Sequence, residues 1–550
     1  MEDILMKHKI RYFRYFPIVI LFLSLGAYLS FRLSLLLFDV VTIAEVQDWP
    51  LFWSKAKEML IIAAILFPAN MLIAWSRSIF IKDAMQRMKV DYLKQVFHKH
   101  INEFQKENNA VYVSALTNDF NIIEQDYFMS ILEMSEAIIG FITGIIIFII
   151  ISPMILFVGL GVMLINGLLS QIVTKPVRKH NEERSILFAG YSGFIKEVLS
   201  AFNIIKSNGL EERVKENFYR KSESVQEKKY VIDRILSFVY AAQTANFSII
   251  FLGVMLFVSY MAIQGLITFA GIAVIATNID RVVEPIGVFS QSIPRWMSVK
   301  SIFKRIKEST ENKENDIETI NLDSFQESIE LNDVSFGYDD HQVLSHVNLR
   351  LEKGKKYLII GPSGGGKSTI LRLLRKYFKP QTGSIFVDGI ALNDVKKESY
   401  YAKIANIEQQ VFLFEDTVRH NLTLYRDYSD EVIWKAIEQA GLKEFILSHE
   451  EGLDFMILDN GKNISGGEKS RIAIARGLIS QADILYLDEA FASLDFERVK
   501  AIESILIALN HVTVINVSHV VIEEHKALYD QVITVHNKGL SIIDNTWWIK

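Results

Sequence analysis

Apolar residues are spread unevenly along the 550-residue chain. In the first half they come in long runs; in the second they come in short runs punctuated by glycine, proline and charge. A run of about 20 apolar residues matches a hydrocarbon layer ~30 Å thick. Six such runs can be marked, at roughly 16–38, 59–80, 131–151, 154–171, 234–260 and 266–288. The first loop, about 39–58, carries Trp49 and Trp53, which suit the outer interface. Ser152-Pro153 makes a short outer turn, and Gln264-Gly265 another. Pro68 falls inside the second run, where a packed bundle tolerates it.

The polar stretches between runs two and three and between runs four and five are long, rich in Lys and Arg, and helical in apolar spacing (Met85, Met88, Tyr92, Val96). They read as helical continuations of the spans reaching ~35 Å beyond the membrane at 1.5 Å per residue. Breaks are expected at Asn108-Asn109 and near Ser200–Asn203. The basic N-terminal flank (Lys7, Lys9, Arg11, Arg14) places that end in the cytoplasm by the positive-inside rule, and both excursions with it. The run after it is too long for a cleaved signal and reads as an uncleaved first span.

Polar residues at membrane depth are functional candidates. In the sixth run Asp280 and Glu284 share a helical face, with Asn278 and Arg281 beside them. They either line a substrate cavity or form an ion pair with Arg281 near the inner interface. Gln243 and Asn246 are further cavity candidates, and Glu133 and Glu136 are expected in the interface.

The charged stretch from Glu308 reads as a linker. The expected division is therefore 1–307 for an all-α, six-helix transmembrane domain with cytoplasmic extensions, 308–327 for the linker, and 328–550 for a soluble α/β nucleotide-binding domain. Net charge of −5 gives no basic surface for nucleic acid. The absence of cysteine excludes disulfides, thiolate chemistry and Cys-ligated zinc.

The second half is organised around Gly361-Pro362-Ser363-Gly364-Gly365-Gly366-Lys367-Ser368-Thr369. This is a complete G-x-x-x-x-G-K-[ST] phosphate loop between an apolar strand, Tyr357–Ile360, and a helix. Glycines let the backbone approach phosphate closely, and a helix N-terminus offers free N–H groups and a positive dipole end. Lys367 would reach the β- and γ-phosphates and Ser368 would ligate Mg²⁺. Tyr338 is placed to stack on adenine. Gln409 can reach Mg²⁺ and the attacking water. Ser465-Gly466-Gly467 opens another helix as a second anion site. The strand Ile484–Leu487 delivers Asp488 for Mg²⁺ and Glu489 as general base. Adjacent strand residues face opposite sides, so the strand must end there for both to serve one site. Asp495 follows, and the strand Val512–Val517 delivers His519, which could hydrogen-bond the γ-phosphate.

In this order the motifs resemble the ATP-binding cassette transporters, in the exporter-type half-transporter arrangement, over nearly the whole chain. The resemblance implies Walker A at Gly361–Thr369, Walker B at Ile484–Asp488, the Q-loop at Gln409, the signature at Ile464–Glu468, the D-loop at Ser493–Asp495 and the switch histidine at His519. It implies ATP and Mg²⁺ as cofactors, and a dimer in which each ATP lies between one copy's Walker A and the other's Ser465-Gly466-Gly467. The partner is a second copy of the chain or a related half-transporter, in a cytoplasmic membrane. Coupling helices are expected near Asn109–Phe120 and Tyr191–Phe202. Departures from the family pattern are Ile464 for leucine, Glu468 for glutamine, Glu408 for proline and Val520 for arginine. No catalytic group is lost. With the first span beginning near Phe16, no peptidase-like domain is expected ahead of it. The function implied is ATP-driven export by alternating access, with peptide, lipid or amphiphilic drug as cargo. An importer on the same fold, or a nucleotide-gated channel or regulatory membrane protein, are the alternatives.

Overall fold

The computed structural model of the protein describes residues 9–154, 157, 183, 187–188, 190–312, 318–338, 341–491, 496–518 and 522–544. The chain divides into two compact units, Met1–Lys99 with Glu107–Glu311, and His100–Lys106 with Asn312–Lys550.

The first unit is helical. Three of its described helices are long and apolar enough to cross a membrane: Phe16–Val46, Trp49–Phe97 and the continuous run Asn109–Ile151. A shorter apolar stretch, Ser248–Ile263, ends the 53-residue helix Glu211–Ile263. The sixth run is split into Phe269–Asn278 and Asp280–Thr310. The expected fourth span lies outside the described residues apart from its first few positions, as do the side chains of Gln243 and Asn246. The turn at Gln264-Gly265 is present, with Gly265 at φ 72°.

The first outer loop is much shorter than expected. Helix Phe16–Val46 runs eight residues past the expected end at Phe38, because residues 39–46 contain no helix breaker. The connection is Gln47-Asp48. Gln47 takes a left-handed φ of 61°, and the Asp48 carboxylate accepts from Leu51 N at 3.2 Å. Pro50 falls in the first helical turn, where its missing N–H is of no consequence.

Large side chains such as Leu60, Phe67, Trp75, Ile150 and Leu256 are exposed, as a lipid-facing surface requires. The buried side chains pack across helices: Ile147 and Phe148 meet Val254, Val258, Val274, Ile275 and Val282. Ser34 Oγ donates to Asn278 Oδ1 at 3.0 Å, tying the first helix to the sixth run. Asn278 is 1% exposed, so it is the buried polar residue of that run. Asp280 and Glu284 are exposed, and neither pairs with Arg281, whose one hydrogen bond among the described residues goes to Thr143 Oγ1 at 3.4 Å. The ion-pair alternative for this cluster is therefore not what the structure shows. Glu133 and Glu136 join helices: Glu136 pairs with Arg77 at 2.6 Å, and Glu133 accepts from Ser292 at 2.8 Å and Arg295 at 3.1 Å.

The chain turns twice where one break was expected. Helix Trp49–Phe97 ends before His98, a short helix occupies Ile101–Lys106, and the Asn108 side chain accepts from Ala110 N at 2.9 Å to start the next helix. Segment His100–Lys106 belongs to the second unit, and Asn109–Phe120, the expected coupling helix, is helical in the first unit, with a π-turn at Ala115–Asp119. In the other excursion helix 190–200 breaks at Ala201, and a short helix follows at Phe202–Ser207.

The second unit holds two sheets. The antiparallel one has strand order β2-β1-β4-β5, built from β1 (Ser328–Tyr338), β2 (His341–Glu352), β4 (Thr382–Val387) and β5 (Ile390–Ala391). The other runs β10-β9-β3-β8-β7-β6. Its parallel strands are β3 (Lys356–Ile360), β6 (Ile404–Ile407), β7 (Ile484–Asp488), β8 (Thr513–Val517) and β9 (Gln531–His536), with β10 (Gly539–Asp544) antiparallel at the edge. The central strands β3, β7 and β8 are buried on both faces, which is why they read as short apolar runs. The stretch expected to be a linker is partly packed. Leu322 and Phe325 are buried in the core between the sheets, and Ile320 bridges to Val395. Their spacing is masked by the charged residues around them.

Candidate nucleotide site

The parallel sheet brings the predicted residues together at the C-terminal ends of β3, β7 and β6, where ligands of open α/β sheets bind. From β3 the chain enters the phosphate loop and then helix Lys367–Leu374. Gly366 caps that helix at φ 105°, and a Cβ there would lie 3.0 Å from Leu344 Cδ2. At Gly361 a Cβ would fall 2.5 Å from the Val535 carbonyl oxygen. Two of the motif's glycines are thus required by backbone geometry and close approach, apart from any ligand.

Lys367 is 4% exposed, and its Nζ donates to the Gly361 carbonyl at 2.9 Å and the Pro362 carbonyl at 3.0 Å. Burial draws its pKa below the ordinary ammonium value, while Glu489 and Asp488 push the other way. Ser368 Oγ donates to Asp488 Oδ1 at 3.1 Å. A hydroxyl and a carboxylate beside a phosphate loop form an all-oxygen donor set. That fits Mg²⁺, a hard cation that keeps several waters and takes its remaining ligands from phosphate.

β7 ends at Asp488, and Glu489 turns to φ 51° with its N–H donating to the Val517 carbonyl at 2.9 Å. This left-handed step breaks the strand alternation. Glu489 Oε2 accepts from Gln409 Nε2 at 2.8 Å. A non-glycine residue in this region is uncommon and strained, and such residues gather at functional sites. Carboxylate, amide, hydroxyl and lysine therefore converge, as their spacing required.

Tyr338 ends β1. Its hydroxyl accepts from Arg372 at 3.0 Å, and its ring meets Phe336 and Phe378 edge-on. Ser465 caps helix Gly466–Ile479 in a capping box: Glu468 N donates to Ser465 Oγ at 3.3 Å, and Ser465 N to Glu468 Oε2 at 2.7 Å. The glutamate found where glutamine is common thus holds the signature turn. Further along that helix Arg476 donates to the Phe412 carbonyl at 2.7 Å and to Asn421 Oδ1 at 2.9 Å, locking it to the segment after Gln409. Burial lowers the Arg476 pKa to about 10. Ser493, Asp495 and His519 lie outside the described residues.

Sequence reasoning missed Arg375. It follows the phosphate-loop helix and is 2% exposed. Its Nη1 stands 3.7 Å from Glu408 and 3.8 Å from Asp488, and its guanidinium lies 5.7 Å from the centre of the Tyr486 ring. An arginine inside the run Leu373–Phe378 was the available signal. Tyr377 lies beside the same Glu408, and burial first, then that carboxylate, pushes its ionisation up.

Apolar membrane-length helices fused to a phosphate-loop nucleotide-binding unit define a multi-pass membrane protein that uses ATP. Family comparison narrows this. Residues 13–285 match the family model of the ABC transporter transmembrane region, and residues 344–492 match the ABC transporter family model. The chain belongs to the ABC transporters, as an exporter-type half-transporter whose cassette hydrolyses ATP. It is 26% identical to an uncharacterized ABC transporter ATP-binding protein of Bacillus subtilis, over 93% of this chain and 90% of that one. It is 29% identical to an ATP-dependent lipid A-core flippase of Desulfotalea psychrophila, over 81% and 79%. A Staphylococcus aureus protein named "Putative multidrug export ATP-binding/permease protein" is 30% identical over 61% and 59%. In fold the chain is similar to a bacterial Atm1-family ABC exporter solved with ATP bound, with a TM-score of 0.84 at 20% identity, covering 98% of this chain and 96% of that one.

Proposed function

We propose that two copies of this chain form an ATP-driven exporter of the cytoplasmic membrane that works by alternating access. The cassettes face the cytoplasm, and each ATP is held between Lys367 and the phosphate loop of one copy and Ser465-Gly466-Gly467 of the other. The observation that carries the reading is the paired geometry at the strand ends, Ser368 on Asp488 and Gln409 on Glu489. Bound Mg²⁺, held by Ser368 and Asp488 with Gln409 in reach, would neutralise phosphate charge. Glu489 takes a proton from the attacking water, and Gln409 orients that carboxylate. Tyr338 stacks on adenine, while Asp495 and His519 complete the site in the roles the family resemblance implies. ATP closes the cassettes because the closed state binds it more tightly, and hydrolysis releases them. The coupling helices that the family resemblance implies, near Asn109–Phe120 and Tyr191–Phe202, would carry this to the spans.

The cargo is a lipid or amphiphile, in keeping with the flippase and multidrug-export names of the relatives. Inverted vesicles carrying the protein test this with a fluorescent lipid and a cationic amphiphile. ATP should drive uptake of at least one, and Glu489→Gln should abolish it. Movement independent of ATP turnover would contradict the reading.

A further inference from the structure

Arg375 combines features seldom found together. Its side chain is 2% exposed, and its Nε and Nη2 are buried without a hydrogen-bond partner. A buried guanidinium left partly unpaired is costly, and such groups are retained where they serve a function. The two carboxylates it faces belong to different parts of the site. Asp488, 18% exposed, points Oδ2 at Arg375 from 3.8 Å while Oδ1 accepts from Ser368. Glu408, 51% exposed, stands 3.7 Å away and directly precedes Gln409, which donates to Glu489. Neither separation is a hydrogen bond, so the guanidinium attracts both groups with N–H donors to spare. Asp488 and Glu489 are adjacent, so Arg375, Glu408, Gln409, Glu489 and Asp488 close a ring around the strand ends.

We infer that Arg375 is a positioning residue which orients Asp488 toward its metal ion and ties that orientation to the glutamine segment through Glu408. The inference rests on Asp488 being a metal ligand, as in the proposed function. Glu408 stands where the family pattern has proline, which could not make this link. When the segment at Glu408 moves, the charge facing Arg375 changes, and so does its hold on Asp488.

The test uses the full chain in lipid nanodiscs with Glu489→Gln present, so that ATP is held and not consumed. Mn²⁺ binding in the presence of ATP is followed by electron paramagnetic resonance, and ATP binding without divalent ions by equilibrium dialysis. Partners behind a metal ligand typically affect affinity 10–100-fold. Arg375→Gln and Glu408→Gln should each weaken Mn²⁺ binding, by about tenfold for the arginine and less for the exposed glutamate. Arg375→Lys should recover part of the loss, and metal-free ATP binding should stay unchanged in all three. Unchanged Mn²⁺ affinity in Arg375→Gln and Glu408→Gln would overturn the inference, as would a parallel loss of metal-free ATP binding. Asp488→Asn separates the two readings. If it weakens Mn²⁺ binding while the others do not, only the role of Arg375 fails. If Mn²⁺ binding survives it, the metal-site reading itself fails.

Discussion

Glu489 and Asp488 are neighbours that a regular strand would send to opposite faces. The structure resolves this with one residue, because Glu489 leaves β7 at φ 51° and meets Gln409. Placing a carboxylate there makes Glu489 the residue whose loss should separate binding from turnover. Glu489→Gln keeps the amide contact to Gln409 in shape but cannot take a proton, so hydrolysis should fall ~10²–10⁴-fold with ATP affinity retained. Single-turnover hydrolysis and ATP binding on the same sample check this; normal turnover would remove Glu489 as the base. Lys367→Ala acts on the other side, removing a buried charge held against the phosphate-loop carbonyls. ATP affinity should drop at least ~10-fold, as for a lost charge-assisted hydrogen bond, and unchanged affinity would count against the phosphate-loop role. Both residues were legible from sequence because one stands at a fixed spacing from the loop glycines and the other at the end of an apolar strand. Arg375 was not, since its partners, Glu408 just after β6 and Asp488 at the end of β7, come later in the chain and only folding brings them near.

Elements were legible to the extent that one period dominated them. Long apolar runs gave the membrane helices, and the short buried runs gave β3, β7 and β8. Ends were harder. The first outer loop shrank to Gln47-Asp48 because polar residues that tolerate helix continue one. The presumed linker hid Leu322 and Phe325 among charges. The phosphate-loop turn makes its own prediction: Gly366→Ala forces a Cβ into φ 105° against Leu344. A cost of ~1–3 kcal/mol is expected, seen as a lower melting temperature of the nucleotide unit and weaker ATP binding. An unshifted melting curve would show that the loop relaxes freely. In the membrane unit, Ser34→Ala removes the hydrogen bond to Asn278. Such bonds average about 0.6 kcal/mol and reach ~1.7 kcal/mol. Unfolding in lipid should show a loss in that range, and no loss would mean that Asn278 satisfies itself through its own helix.

At the scale of the molecule, the proposed exporter makes a single chain half of a machine. The family pattern implies that Lys367 and Ser465 of the same copy serve different ATP molecules, so activity should require two copies. Mixing wild-type chains with Lys367→Ala chains should therefore reduce ATPase activity more steeply than dilution alone, whereas a linear fall would indicate independent sites. The most direct test is ATP hydrolysis by this chain alone, purified into lipid nanodiscs, with Glu489→Gln as the blank. Magnesium-dependent hydrolysis clearly above the blank is the predicted result and would establish a competent homodimer. Hydrolysis no greater than the blank would contradict it, and would place the second half of the site on a different chain.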